Sequence, residues 1–341
     1  MSSITKREYR LSDGRELLYY DDADTALDPE RAPDLREPAP RPATATMRQD
    51  PLTGEWVSIA AARQNRVFLP PAELDPLAPA SPGNPSEVPS LYDVAVFENK
   101  SPSFGPLLED QNAPDGPEDL TTIGLGRTRT SVGRCEVVCF SPETSGSFGS
   151  LTPSRARTVI EAWADRTAAL SALPGVRQVF PFENRGEAIG VTLHHPHGQI
   201  YAFPFVTPRT AQIQAQAQAY ARSGRGNLFD DVVAAEIADG NRLVARNAEW
   251  TAFVPAAARW PYEILLFPAR RVPDLPSLDD AQRAAFGDLY IDVLGRLGAI
   301  FDGPPPYIAA WYQAPAGAGP ASREFALHLR VMSVRRAPGK L

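Results

Sequence analysis

Two stretches of the chain repeat one pattern, and this repeat constrains the fold more than any other feature. Residues 136–163 read EVVCFSPETSGSFGSLTPSRARTVIEAW, and residues 263–290 read EILLFPARRVPDLPSLDDAQRAAFGDLY. In each stretch a Glu opens an apolar strand that ends in Phe, and a Pro, a loop, a capping residue and an amphipathic helix follow. The repeat predicts an α+β fold of two tandem halves, with antiparallel sheets and helices packed on them.

The predicted elements divide the chain into three parts. Residues 1–46 are predicted to be a flexible N-terminal arm, because residues 21–46 are rich in Pro, Ala, Asp and Arg. Residues 47–210 form the first predicted domain and residues 211–341 the second. The first predicted helix is capped by Thr152 or Ser154 and the second by Ser277. Leu69–Ser90 contains many prolines, which predict a long surface loop of the kind that often serves a site.

Composition excludes several classes of protein. No run of about 18 apolar residues exists, and the charged N-terminus is unlike a signal peptide, so we expect a cytoplasmic protein without a membrane partner. The net charge of −7 disfavours a nucleic-acid partner. No glycine-rich nucleotide loop of the Rossmann or Walker type is present. Cys135 and Cys139 lie four residues apart on a predicted strand, too far apart to form a disulfide or share a metal.

Three of the four histidines lie in the sequence HHPHGQ, as His194, His195 and His197. Three interpretations are open: a metal site, buried structural imidazoles, or a histidine nucleophile that acts on a phosphorus or acyl centre. Buried imidazoles would each need hydrogen-bond partners. An imidazole is a good nucleophile near pH 7, and a good leaving group once protonated, which suits transfer of a phosphoryl-type group. Gln199 offers an amide donor beside His197.

The sequence resembles the galactose-1-phosphate uridylyltransferase (GalT) family of the histidine-triad (HIT) superfamily. The resemblance covers most of the chain and rests on ordered motifs rather than on HPHGQ alone. These motifs lie at residues 50–66, 96–104, 135–143, 182–205, 260–270 and 333–341. The resemblance implies two tandem HIT-like halves, a homodimer and no nucleic-acid or membrane partner.

The resemblance also implies roles for particular residues. His197 corresponds to the catalytic nucleophile and Gln199 to a residue that hydrogen-bonds the transferred phosphoryl oxygens. The implied substrate-binding residues are Arg63, Arg66, Phe97, Asn99, Asn184, Gly190 and Thr192. Plainer alternatives stay open for several of them: Phe97 as core, the two arginines as a solvated face, and the two asparagines as turn residues.

Zinc is typical of the family, but most of its expected ligands are missing here. The place of a Cys-x-x-Cys pair reads Asp75 to Ala78, and of the implied zinc ligands only His195 remains. A second implied metal site has Tyr312 and Arg330 where histidines are expected, beside His328. We therefore expect an enzyme that requires no metal cofactor.

Three functions remain open on the sequence. The leading one is a UDP-glucose–hexose-1-phosphate uridylyltransferase of galactose metabolism, which transfers UMP from UDP-glucose to galactose 1-phosphate through a uridylyl-histidine on His197. A related nucleotidyltransferase or phosphorylase would act on ADP-glucose or dinucleoside polyphosphates. A non-catalytic nucleotide-binding relative is the third, suggested by the lost metal ligands.

Overall fold

The computed structural model describes residues 4–37, 45–60, 69–105 and 121–335. Within these ranges there are fifteen strands and four α-helices. The strands are β1 (Thr5–Arg10), β2 (Glu16–Asp21), β3 (Thr46–Gln49), β4 (Trp56–Ile59), β5 (Val94–Glu98), β6 (Thr121–Ile123), β7 (Gly126–Thr130), β8 (Arg134–Cys139), β9 (Gln178–Arg185), β10 (His197–Phe203), β11 (Leu243–Arg246), β12 (Trp250–Phe253), β13 (Ile264–Pro268), β14 (Tyr307–Tyr312) and β15 (His328–Met332). The helices are α1 (Pro153–Ser171), α2 (Pro208–Arg222), α3 (Leu228–Asp239) and α4 (Asp280–Gly298).

Eleven of these strands form one antiparallel sheet in the order β1-β2-β5-β8-β10-β9-β14-β15-β13-β12-β11. From the central pair β9 and β14 outward, the two halves follow the same order: β9, β10 and β8 on one side correspond to β14, β15 and β13 on the other. The two copies of the repeat join where β9 pairs with β14. The predicted α+β class with antiparallel sheets is confirmed, and the two halves share a single sheet.

The helices of the repeat, α1 and α4, pack together on one face of this sheet. Their buried residues form one apolar core with side chains from both halves, including Trp163, Trp250 and Trp311. Thr152 caps α1 by accepting a hydrogen bond from the Arg155 N–H, as predicted. The predicted cap Ser277 is wrong, because Asp279 caps α4 in a reciprocal capping box with Gln282.

The opposite face of the sheet is covered only in part, and this leaves room for a site. On the second half, α2 and α3 pack there through Ala217 and Phe229. On the first half, the Pro-rich segment packs over β5 and β8 through Leu77 and Val88. A small sheet of order β4-β3-β7-β6 packs nearby through Met47. In the uncovered part of this face, β10 and β9 carry side chains that line the cavities described below.

The structure differs from the flexible arm that the sequence predicts for residues 1–46. Thr5–Arg10 and Glu16–Asp21 form two strands of the large sheet. The reason is local: Leu17 to Tyr20 are all buried, so this segment supplies a strand, and the charged Thr5–Arg10 segment covers its edge. The predicted boundary after residue 210 falls inside α2.

None of the helices in the described ranges is long and apolar enough to cross a membrane.

Candidate active site

His197 is the first residue of β10 and lies opposite Cys139 of β8. Its ring nitrogen Nδ1 lies 2.7 Å from the main-chain carbonyl oxygen of His195. A carbonyl oxygen only accepts hydrogen bonds, so Nδ1 carries the proton. In the neutral ring the lone pair therefore lies on Nε2. The local geometry selects the tautomer in which Nε2 can attack an electrophilic centre.

Two cavities meet at His197. The smaller has a volume of about 160 Å³ and is lined by Phe182, Asn184, Gly190, Val191, Thr192, His197, Gly198, Gln199 and Tyr201. The larger has a volume of about 470 Å³ and includes Ser147, Glu183, Arg185, Glu187 and Pro306 in its lining. His197 and Asn184 line both. A molecule with two polar parts could therefore extend to either side of the His197 ring.

The small cavity brings together five of the residues predicted for the site: His197, Gln199, Asn184, Gly190 and Thr192. His197 and Gln199 are two residues apart on β10 and so project from the same face of the strand. Asn184 lies on the neighbouring β9, and Gly190 and Thr192 lie in the loop that joins the two strands. Topology thus gathers residues that the sequence spreads over sixteen positions.

Two glycines shape this cavity for different reasons. Gly190 ends a short 3-10 turn with a φ of +80°, a conformation that side-chain-bearing residues rarely adopt. A Cβ on Gly198 would lie 2.8 Å from Cζ of Phe140 and 2.9 Å from the carbonyl oxygen of Phe182. Gly198 is therefore required by packing inside the sheet.

The side-chain oxygen Oε1 of Gln199 is buried and has no hydrogen-bond partner among the residues the structure describes. Buried polar atoms without partners are rare in folded proteins, and ligand-binding sites are one place where they occur. Because the Gln199 side chain lines the small cavity beside His197, its amide group can hydrogen-bond a polar group bound there.

His195 lies behind the site with its side chain fully buried. Its Nδ1 is 2.7 Å from Oδ2 of Asp75, in the Pro-rich segment. Its Nε2 is 2.9 Å from the hydroxyl oxygen of Tyr92 and 2.9 Å from the carbonyl oxygen of Ser141. One imidazole thus joins the Pro-rich segment, the approach to β5 and the end of β8.

These surroundings do not fit the zinc that the resemblance implies. A structural zinc takes four ligands, commonly thiolates and imidazoles, and here the His195 ring faces one carboxylate. Burial raises the pKa of the nearby Cys139 thiol, and the charge of Asp75 raises it further. Across the described ranges, no group of three or more His, Cys, Asp or Glu residues is arranged to hold a metal.

The second implied metal position does not fit either. Arg330 brings a positive charge of its own, and its Nε donates to Oε1 of Glu263 at 2.7 Å. The Tyr312 ring stacks on His328 with 5.2 Å between centroids. The guanidinium group of Arg330, paired with the carboxylate of Glu263, therefore occupies the position where the resemblance implies a metal-binding imidazole.

His328, the counterpart of His197 in the second half, is closed off from solvent. Its Nδ1 donates to the carbonyl oxygen of Ala326, the same i−2 arrangement that holds His197. It is also stacked on Phe267, with 4.8 Å between ring centroids. Burial lowers the pKa of His328 to about 4. The repeat therefore presents one histidine to a cavity and buries the other in an aromatic stack.

Several predicted residues lie away from the cavities. Phe97 is 3% exposed and packs in the apolar cluster beneath the Pro-rich segment, in agreement with its alternative interpretation as core. Asn99 accepts a hydrogen bond from the Ser101 N–H through its side chain, the geometry of a turn residue. Arg63 and Arg66 lie outside the described residues. His194, by contrast, is an exposed residue that lines the larger cavity, and its Nε2 is 3.6 Å from Oε1 of Glu187.

Sequence reasoning missed two features of the site. Glu183 lines the larger cavity, accepts a hydrogen bond from the Tyr307 hydroxyl at 2.6 Å, and has its pKa raised to about 7 by burial. Asp75 and Tyr92 meet His195. The sequence did contain a signal for Asp75. This acidic residue stands in the place of an expected zinc ligand, and His195 is the one expected ligand that remains.

Comparisons with known proteins agree with this arrangement. The family described as "Galactose-1-phosphate uridyl transferase, N-terminal domain" matches residues 37–207, and the C-terminal domain of the same family matches residues 213–339. A galactose-1-phosphate uridylyltransferase of Streptomyces lividans is 46% identical over 334 residues, covering 96% of this chain and 86% of the relative. One from Thermotoga maritima is 31% identical and covers 86% of this chain and 89% of the relative.

Solved structures have the same fold. A uridylyltransferase structure, 29% identical, has a TM-score of 0.73 and covers 87% of this chain and 88% of its own. An ADP-glucose phosphorylase from Arabidopsis thaliana has a TM-score of 0.63 at 20% identity, with coverage of 86% and 91%, and its similarity concerns the fold alone. With both family domains matched and such identity along nearly the whole chain, the protein is a member of the galactose-1-phosphate uridylyltransferase family of nucleotidyltransferases.

Proposed function

We propose that this enzyme transfers UMP from UDP-glucose to galactose 1-phosphate through a covalent uridylyl-histidine on His197. The observation that carries the proposal is the tautomer of His197. The 2.7 Å hydrogen bond from Nδ1 to the His195 carbonyl keeps the proton on Nδ1. In the neutral ring the lone pair then lies on Nε2, which we propose attacks the α-phosphorus of a nucleotide sugar bound in the two cavities.

The reaction is a double displacement. Nε2 of His197 forms a bond to the α-phosphorus as the bond to the glucose 1-phosphate oxygen breaks, and glucose 1-phosphate leaves. A phosphate oxygen of galactose 1-phosphate then attacks the same phosphorus, the P–N bond breaks, and the electron pair returns to Nε2. The carbonyl of His195 stabilises the positive charge that the ring carries in the intermediate, since Nδ1–H points at it.

Gln199 is proposed to donate its amide N–H to the transferred phosphoryl oxygens. Its position two residues after His197, on the same face of β10 and in the lining of the small cavity, supports this role. Asn184, Gly190 and Thr192 line the same small cavity, where we propose that they contact the ribose and phosphate. For Phe97 and Asn99, the proposed contact with the uridine base rests on the family resemblance alone, because neither residue lines the two cavities.

The test is brief incubation with UDP-glucose labelled at the α-phosphate, followed by mass and label analysis of the protein. We expect one UMP adduct on His197 that galactose 1-phosphate discharges as UDP-galactose. His197→Asn should form no adduct, whereas Cys135→Ala, a change on the neighbouring strand β8 at a residue that lines neither cavity, should form it normally.

Two other results would replace the proposal. An adduct formed from ADP-glucose but not from UDP-glucose would assign the enzyme to the ADP-glucose class. Tight nucleotide binding without any adduct would indicate a non-catalytic relative. The homodimer and the cytoplasmic location stay predictions, and light scattering of the purified protein checks the first.

A further inference from the structure

Asp75 is joined to the proposed nucleophile through a short chain of contacts. Asp75 Oδ2 binds the His195 ring, and the His195 carbonyl oxygen accepts the His197 Nδ1–H. We propose that Asp75 is a positioning residue for His197: by holding the His195 ring it fixes the carbonyl that sets the tautomer and orientation of the nucleophile. This inference rests on the proposed function.

Asp75 is itself held firmly enough for this role. It is 5% exposed, and its other carboxylate oxygen, Oδ1, accepts the Leu77 N–H at 2.9 Å. Its main-chain oxygen accepts a hydrogen bond from Nδ2 of Asn84 at 2.8 Å. With the backbone and one carboxylate oxygen fixed, Oδ2 has one orientation toward His195. A buried carboxylate with its hydrogen bonds satisfied is a rigid support.

The other end of the chain is equally constrained. The Nε2 atom of His195 meets the carbonyl of Ser141, just beyond β8. The next carbonyl, that of Pro196, accepts the Phe140 N–H at 2.9 Å. The His195 carbonyl therefore lies between a ring fixed on both nitrogens and a main-chain hydrogen bond. Release of the ring at Asp75 removes one of these two constraints.

This arrangement gives a physical reason for the disagreement with the implied zinc. A metal on His195 would tie the Pro-rich segment to the HPH segment. The hydrogen bond between Asp75 and His195 joins the same two segments, which lie 120 residues apart in sequence, with side chains alone. A carboxylate on an imidazole is a common orienting partner for functional histidines.

The test compares Asp75→Ala and Asp75→Asn with a matched control, Asp21→Ala. Asp21, the last residue of β2, is also a buried carboxylate. It is paired with Arg7 and Arg31 and makes no contact with His195. In Asp75→Asn the side-chain amide can still hydrogen-bond the ring. It donates to Nδ1 of His195 when His195 takes the tautomer whose Nε2–H donates to the Ser141 carbonyl. Two quantities are measured: the rate constant for uridylyl-adduct formation with UDP-glucose, and the His197 tautomer.

The tautomer is read from two-bond 1H–15N spectra of protein labelled in its histidine rings. The chain has four histidines, so the spectra contain few signals, and His194→Gln assigns one of them. We expect His197 to be protonated on Nδ1 in the wild type and in Asp21→Ala. In Asp75→Ala we expect a mixture of tautomers, with recovery toward the wild type in Asp75→Asn.

The kinetic expectation follows from misplacement of the nucleophile. Asp75→Ala should lower the rate constant by about 10- to 100-fold with little change in KM, because ground-state contacts are kept. A rate within about twofold of wild type, or an unchanged tautomer in Asp75→Ala, would overturn the inference. If the wild type forms no adduct, the proposed function fails, and the tautomer measurement still decides the inference about Asp75.

Discussion

Glu183 lies at the junction of the two halves, in a setting that disfavours its charge. It is on β9, opposite Ala309 of β14, and its carboxyl group is buried on the face that carries α4. The hydroxyl of Tyr307 donates to Oε1 at 2.6 Å, and the Tyr290 hydroxyl lies 3.4 Å from Oε2. Burial raises the pKa of Glu183 from 4.5 to about 7, although these hydrogen bonds oppose the shift.

The sign of the effect on stability follows from proton binding. Between the unfolded pKa of 4.5 and the folded pKa of about 7, the folded protein holds a proton on Glu183 that the unfolded chain has lost. The contribution of Glu183 to the free energy of unfolding therefore falls as pH rises, by about 1.4 kcal/mol per pH unit. Over the whole window this amounts to about 3 kcal/mol, of which about 2 kcal/mol is lost between about pH 5.5 and 8.

Glu183→Gln removes this titration and keeps an amide oxygen for Tyr307. The assay is urea unfolding of wild type and variant across this pH range, after a check that unfolding is reversible. We expect the variant to gain about 2 kcal/mol relative to wild type between about pH 5.5 and 8. Parallel curves, with a constant difference at every pH, would refute the reasoning, because they would show that Glu183 is ionised in the folded protein throughout.

Two further predictions concern the site itself. Gln199→Ala should lower the rate constant for uridylyl transfer by about 100-fold, the typical loss for one donor to a developing oxyanion, with the KM for UDP-glucose less affected; steady-state kinetics checks this. Gly198→Ala should destabilise the fold by about 1–3 kcal/mol in urea unfolding, because the added Cβ meets Phe140 and the Phe182 carbonyl inside van der Waals distance. An unchanged unfolding midpoint would contradict this packing argument.

Much of the fold could be predicted because its signals are local. The apolar runs of β8 and β13 and the helices that follow them repeat within short windows, whereas the strand order within each half is visible only in the structure. The pairing of β9 with β14, which merges the halves, depends on residues more than a hundred positions apart and has no sequence signal. The Ala- and Gln-rich α2 was not predicted, since it has little apolar periodicity.

The candidate site divides in the same way. His197, Gln199, Asn184, Gly190 and Thr192 lie within one continuous stretch, and the structure gathers them around one cavity. The contact between Asp75 and His195 is long-range, and it becomes visible only once the Pro-rich segment is folded over β5 and β8. The tautomer of His197 likewise needs the position of a main-chain carbonyl, which no residue type encodes.

His328 opposes Glu183 in the pH dependence of stability. Burial lowers the pKa of His328 from 6.5 to about 4, so between these values the unfolded chain binds a proton that the folded protein does not, and stability rises with pH. The two groups lie on opposite faces of the sheet, His328 against Phe229 and Glu183 beside Tyr290, so their effects should add. Between about pH 4.5 and 6.5 the opposing slopes of about 1.4 kcal/mol per pH unit cancel in the wild type.

Each single variant should therefore show a pH dependence of the free energy of unfolding that is cancelled in the wild type. In that window, Glu183→Gln should become more stable relative to wild type as pH rises, and His328→Phe should become less stable. The double variant should follow the pH dependence of the wild type, because both titrations are gone. Urea unfolding of the four proteins at matched pH values measures this, and the constant offset from altered packing drops out of the slopes. If either single variant runs parallel to wild type, the corresponding buried group does not titrate as the structure requires.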